Sequence, residues 1–412
     1  MTGGVEETTA QEGVHGTARG RGRAEIVTTV VAVTAVVTLS LNLRPALAGF
    51  SPLAGEAGTE LGLGAGAISL VTTLPLVCFG VFALFAPALS RRFGAERALM
   101  ATMPLLAAGI LLRGAGATTA LLLGTVLVGI AIAIGNVLLP GVVKRRFPTA
   151  TGAMTGLYAS AIGGGAMLAA ALAKPLDDLT HGWRPALAVW ALPALAAAVP
   201  LALLARATPR GAVTVPDSQA TQEADAGRRP VRRLTTAALA VFFGLQSVVF
   251  YVVLAWLPRV LTEAGTAPAD AGLPLSFVQL VSLPTGLTVS ILARTSRSQA
   301  WYAAACGVAG AAGFTGLLVA PGAAPYAWAL LLGLSVASFP LALAMITAKA
   351  GGPSHADRLS SVVQGCGYLM AAAGPLAAGL LRDATGTWTA SLAFLLVMAV
   401  LLAPVGWFAA RL

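Results

Sequence analysis

The sequence predicts an all-α membrane protein of twelve transmembrane helices arranged as two six-helix repeats. Three observations carry this. Hydrophobic residues make up 57% of the 412 and charged residues 10%, with a mean hydropathy of +0.83, a balance too apolar for an ordinary soluble globule. Apolar windows of about 20 residues, the length that crosses about 30 Å of hydrocarbon, can be laid down along the whole chain after Ile26. The punctuation of the first half then returns in the second.

The windows are 27–53, 65–89, 97–113, 119–143, 150–173, 185–205, 237–260, 272–293, 300–319, 325–348, 358–381 and 387–410. Placing the N-terminus in the cytoplasm puts 20 of the 26 Lys and Arg residues on that side, including Arg91, Arg92, Arg97, Lys144 and Arg145, and leaves five outside. This positive-inside bias predicts two cytoplasmic termini in the cell membrane. The net charge of +10 is thereby a matter of topology, and no nucleic-acid partner is needed to explain it. Residues 1–25 read as a disordered cytoplasmic tail, 26–205 as an N-terminal six-helix bundle, 206–236 as a cytoplasmic linker and 237–412 as a C-terminal six-helix bundle. Lys144, Pro148, Asp178 and Trp183 recur as Lys349, Pro353, Asp383 and Trp388 at one shared offset, and Glu56-Ala57-Gly58-Thr59 recurs as Glu263-Ala264-Gly265-Thr266. Such punctuation implies parallel repeats about an axis along the membrane normal.

Arg44 is the most informative residue. It lies inside an apolar run from Ile26 to Ala54, in the stretch Leu41-Asn42-Leu43-Arg44-Pro45. A charge at that depth costs from a few to over about ten kcal/mol unless water or a partner reaches it. Pro45 removes a backbone donor and turns Arg44 away from helical torsions, so the helix is expected to open where the charge lies. Irregular backbone at that depth belongs in a protein-lined cavity. The alternative is an Arg that snorkels outward or caps a neighbouring helix.

The other polar side chains are unevenly spread. Asn42 and Asn136 fall in spans one and four; Gln246, Gln279 and Gln364 fall in spans seven, eight and eleven; spans three, six, nine and twelve hold no Asn, Gln or charge away from their ends. One set of helices is thus expected to line a wet centre and the other to face lipid. Ser361, Gln364 and Tyr368 share a helical face, and Thr151, Thr155 and Tyr158 repeat the idea in span five. Gln246, Tyr251 and Trp256 do not form one stripe, so at most two of them are expected to touch a ligand. Asn42 lies about 200° around a helix from Arg44 and suits a helix–helix hydrogen bond. Trp256 serves equally well as an interfacial anchor. The candidate substrate-binding set is Arg44, Asn136, Tyr158, Gln246, Tyr251, Trp256, Gln279, Gln364 and Tyr368. The candidate gating set is Arg91, Arg92, Arg97, Lys144 and Arg145. Gly152, Gly156 and Gly163-Gly164-Gly165 read as close-packing surface.

Cys78, Cys306 and Cys366 lie far apart, and the three histidines fall in the tail and loops. No metal centre, catalytic triad or cofactor site can be assembled from them within the spans, so an enzyme is not expected. All sixteen acids fall in tails, loops or helix ends. An embedded Arg44 without an embedded counter-ion suits a solute that brings negative charge or a strong acceptor.

Four stretches together resemble the cyanate permease-like branch, the cyanate and nitroimidazole transporters, of the major facilitator superfamily. They are Leu41-Asn42-Leu43-Arg44-Pro45; Pro140-Gly141-Val142-Val143-Lys144-Arg145-Arg146-Phe147; Phe243-Gly244-Leu245-Gln246-Ser247 leading to Leu254-Ala255-Trp256-Leu257-Pro258; and Gly367-Tyr368-Leu369 through Gly374-Pro375 to Asp383-Ala384-Thr385-Gly386. The resemblance implies alternating access on small, often anionic or nitrogen-containing solutes, with Arg44 in the cavity and Gln246 and Tyr368 nearby. It implies a secondary transporter, expected as a monomer in the lipid bilayer, with a proton as candidate coupling ion. Arg91 stands where the superfamily loop between spans two and three usually carries an acid. Efflux of neutral amphipathic compounds across Tyr158, Tyr251, Trp256 and Tyr368 is the alternative, as is a non-transporting receptor with a transporter fold.

Overall fold

The computed structural model describes residues 27–82, 85–206, 233–293, 295–349 and 353–412. The expected tail lies outside these residues, as does most of the expected linker. Among the described residues, eleven helical segments are long and apolar enough to cross a bilayer. The more polar Pro353–Thr385, 33 residues long, makes the twelfth. The spans in order are 27–42 with its continuation to Leu61, Ala65–Phe82, Ala95–Arg113, Thr118–Arg146, Thr151–Thr180, Trp183–Arg206, Arg233–Glu263, Gly272–Leu292, Ser296–Val319, Pro325–Lys349, Pro353–Thr385 and Thr389–Arg411. Several run a turn or more past the apolar windows, because end residues such as Lys144, Arg145 and Arg146 continue the helix into the polar zone. Ala86–Phe93 forms a short separate helix after span two.

Among the described residues, three spans are broken, each just before a proline. Span one opens at Leu43 and Arg44, span six at Val189 and Trp190, and span ten at Ala337. Pro45, Pro193 and Pro340 lack the N–H that would bond the carbonyls of Leu41, Val189 and Val336 four residues back, so each ladder is interrupted there. Span one resumes as a four-residue helix Pro45–Ala48, a 3-10 turn Ser51–Leu53 and a helix Ala54–Leu61.

Spans two and eleven pack together, as do spans five and eight, and these two seams join the first six spans to the last six. Large apolar side chains on spans three, six, nine and twelve, such as Leu111, Val199, Val308 and Val400, stay exposed, as expected for helices facing lipid.

The distal end of the bundle carries the turns at residues 62–64, 181–182 and 264–267; the proximal end carries Val27 and Leu412. Repeat-related acids behave alike at the distal end. Glu56 receives Lys174 Nζ at 2.7 Å, and Glu263 receives Arg382 Nη2 at 2.9 Å, so in each half the end of the first span is tied to the fifth. Four hydrogen bonds among the described residues cross between the halves. Ser51 Oγ donates to the Ala255 carbonyl at 2.7 Å, Ser276 Oγ to the Met167 carbonyl at 2.9 Å, and Asp383 accepts from the amides of Ala65 at 2.9 Å and Gly66 at 2.6 Å. Asp383 thus caps the start of span two from span eleven, where a carboxylate also meets the positive end of the helix dipole. Asp178, its repeat counterpart, pairs with Lys174 instead. Asp383→Asn removes the charge and turns one acceptor into a donor facing a donor. That should cost about 1 kcal/mol and speed hydrogen exchange at the Ala65 and Gly66 amides about fivefold; unchanged exchange there would show that the cap holds nothing.

Candidate functional site

The break in span one is fixed from four sides. Asn42 Nδ2 donates to the Pro193 carbonyl of span six at 3.2 Å, the helix–helix bond expected of it. A Cβ on Gly135 of span four would meet Leu43 Cδ2 at 2.8 Å, and one on Gly165 of span five would overlap the Leu41 carbonyl oxygen. Gly165 therefore sits against the carbonyl that Pro45 leaves without its helical donor. Arg113, at the end of span three, donates Nη1–H to the Ala46 carbonyl.

So held, Arg44 caps the short helix at φ −123° and ψ −24°, off regular helical torsions. Arg44 is buried, 7% exposed, and among the described residues it makes no hydrogen bond to a backbone carbonyl. Aromatic rings surround it: the guanidinium carbon lies 5.9 Å from the ring centre of Phe79, 5.9 Å from that of Phe250 and 5.5 Å from that of Tyr251, distances at which a ring face attracts a cation. Tyr368 packs edge-on against Phe79 at 5.4 Å and Phe243 at 5.2 Å, with Tyr251 at 6.3 Å. The guanidinium and the hydroxyls of Tyr251 and Tyr368 lie within electrostatic reach of one another. Arg44 Nη1 and Tyr251 Oη are buried with no hydrogen-bond partner among the described residues. No ion pair to Arg44 forms among those residues either.

Phe79 comes from span two, Phe250 and Tyr251 from span seven, and Tyr368 from span eleven. The guanidinium thus belongs to the first six spans and most of its ring neighbours to the last six. Arg44 Nη1 is buried among these rings.

The remaining candidates divide. Gln246 is buried, but its amide donates to Phe243 O at 3.0 Å and Ser247 Oγ at 2.6 Å within its own helix. Gln364 donates to Ser360 Oγ at 2.6 Å, one turn back. Trp256 donates to the Pro375 carbonyl at 3.2 Å and packs on Trp388 at 5.1 Å. It lines an apolar crevice with Val252, Phe314, Leu317 and Leu395, within the last six spans and away from Arg44. Trp256 is therefore neither an interfacial anchor nor a member of the Arg44 cluster. Tyr251 alone of the three span-seven candidates reaches it. Asn136 Nδ2 and Gln279 Nε2 are buried and have no hydrogen-bond partner among the described residues, and Asn136 follows the glycine that packs on Leu43. Tyr158 is half-buried in span five.

At the proximal end, Arg145 and Arg146 approach Glu96 at 3.8 and 3.6 Å. Arg92 lies over the Phe93 ring at 5.3 Å, Arg91 and Lys144 are exposed, and Arg97 is half-buried. Glu96 thus supplies this loop with an acid even though Arg91 stands where one is usual.

Sequence reasoning missed Phe79, Phe250 and Arg113. A phenylalanine in an apolar span carries no signal of its own. Arg113 looked like a loop residue, and its packing against Gly124 of the next span is a contact that the sequence does not display.

The profile of the Major Facilitator Superfamily matches residues 30–375. The chain is 34% identical to the Uncharacterized transporter YycB of Bacillus subtilis (strain 168), over 92% of this chain and 93% of that protein. It is 33% identical to the 2-nitroimidazole transporter of Escherichia coli (strain K12), over 93% and 96% of the two chains. It is 31% identical to the Cyanate transport protein CynX of the same organism, over 87% and 92%. Its fold is similar to the crystal structure of a D-xylose-proton symporter, with a TM-score of 0.73, 16% identity and coverage of 93% of this chain and 97% of that one. Twelve spans, seams joining the first six to the last six, and kinship over nine-tenths of its length identify the chain as a member of the Major Facilitator Superfamily, a multi-pass membrane transporter.

Proposed function

We propose that this transporter moves a small, planar, anionic or nitrogen-bearing solute, of the cyanate, nitrate or nitroimidazole kind, across the cell membrane. The observation that carries the reading is the buried Arg44: among the described residues no carboxylate pairs with it, and its Nη1 and the Tyr251 hydroxyl beside it are buried without a hydrogen-bond partner. A charged donor and a neutral one converging between ring faces suit a flat group with two acceptor atoms. Two relatives, a cyanate transport protein and a 2-nitroimidazole transporter, support the same chemistry.

In this reading residues 26–205 and 237–412 are the two rocking bundles, 206–236 links them in the cytoplasm, and both termini are cytoplasmic. Arg44, Tyr251 and Tyr368 bind the solute, with Asn136 and Gln279 as further polar contacts once the bundles part. Arg91, Arg92, Arg97, Lys144 and Arg145 form the cytoplasmic gate, through Glu96. The protein works as a monomer in the bilayer, with no enzyme activity, and a proton is the candidate coupling ion. The ring lining supports a second reading, efflux of neutral amphipathic compounds.

A ligand that binds only the folded state stabilises it, by about 2.7 kcal/mol at a hundred times its Kd. Purified protein is therefore melted with cyanate, nitrate, 2-nitroimidazole or imidazole, and the stabilising compounds are followed as flux into proteoliposomes. The proposal expects stabilisation and flux with cyanate or 2-nitroimidazole and none with imidazole. Stabilisation only by neutral amphiphiles would favour the second reading, and binding without flux would point to a receptor.

A further inference from the structure

We propose that Arg113, a residue far from Arg44 in sequence, is a positioning residue for the substrate site. This rests on the reading of Arg44 given above. Arg113 is 2% exposed, among the largest fully buried side chains of the protein. A buried guanidinium is costly, so its placement calls for a reason.

Three features build its seat. Gly124 of span four makes room for its stem, since a Cβ there would meet Arg113 Cγ at 2.8 Å. The Phe50 ring lies 4.8 Å from its guanidinium carbon. Its Nη1–H reaches the carbonyl of Ala46, the second residue of the short helix Pro45–Ala48, to which no backbone N–H outside the helices donates among the described residues. A four-residue helix has too few internal bonds to hold itself, and Arg44 is its cap. Whatever fixes Ala46 fixes the direction in which Arg44 leaves the backbone.

Arg113 thus acts on the solute through Arg44 and does not touch it. It stands on the first six spans, like the other groups that hold the break, so the broken segment travels with that bundle while the rings of Phe250, Tyr251 and Tyr368 travel with the other.

Two readouts on the full-length protein test this in Arg113→Met and Arg113→Lys. Hydrogen exchange of the peptide covering residues 43–50 reads the clamp directly, whatever the substrate. Affinity and turnover with 2-nitroimidazole and cyanate read its consequence. In Arg113→Met, exchange across 43–50 should rise about tenfold and probe affinity fall about tenfold, with turnover at saturation within about twofold. Arg113→Lys, which keeps a donor without the planar fork, should fall between that variant and the parent, and it carries the test if the methionine variant does not fold. Unchanged exchange across 43–50 in the folded variants overturns the clamp. Faster exchange with unchanged affinity overturns the positioning role, provided Arg44→Lys weakens the same probes; if Arg44→Lys leaves them unchanged as well, the site reading fails and the clamp stands.

Discussion

Arg44→Lys is expected to insert and fold normally while binding cyanate or 2-nitroimidazole ten- to a hundredfold more weakly. The lysine keeps the positive charge, so the electrostatic cost of the buried position is little changed. It loses the planar fork and the flat cation that fits between the rings of Phe79, Phe250 and Tyr251. Hydrogen bonds to charged groups contribute about 1.5–3 kcal/mol, which sets the size of the loss. Arg44→Met separates function from stability more sharply. It removes a buried charge that has no counter-ion among the described residues, and burying an apolar chain there should leave the melting temperature equal or higher. Solute binding should vanish. Transport by Arg44→Lys within about twofold of the parent would remove Arg44 from the site.

How much of this was legible in the sequence follows from what a linear pattern encodes. Pro45 acts on its own helix, so the opening of span one at Arg44 could be read from two adjacent residues. The repeat could be read because Glu56 and Glu263 keep their place in each half, and the structure gives them matching partners in Lys174 and Arg382. Spacing on one helix does not say which neighbour it faces. Tyr251 and Tyr368 meet Arg44, whereas Gln246, Gln364 and Trp256 turn to their own helix or to a neighbouring carbonyl. An amide has local acceptors within reach, and it takes them when no wet space competes. Arg113 was hidden for the converse reason: its partner is a carbonyl 67 residues away, exposed by a break in another span.

Gly272→Ala should push the two halves apart at the distal end. Gly272 opens span eight, and a Cβ there would overlap the Ala170 carbonyl of span five and come within 3.4 Å of Pro52 Cγ at the end of span one. Backbone is the obstacle, and it cannot swing aside as a flexible side chain would. Overpacking of this kind costs about 1–3 kcal/mol, but only in the arrangement where spans five and eight touch. The strain is therefore not a uniform loss of stability. It biases the balance between closed and open distal ends toward open by about tenfold for each 1.4 kcal/mol. Spin labels at the exposed positions Thr59 and Ala267 report on this, because they flank the seam from the two halves. A longer distance should appear or grow in Gly272→Ala, and grow again when Asp383→Asn is added, since that cap closes the same end. An unchanged distance distribution, with only a lower melting temperature, would mean that Gly272 fills space and that the distal seam does not open in the way alternating access requires.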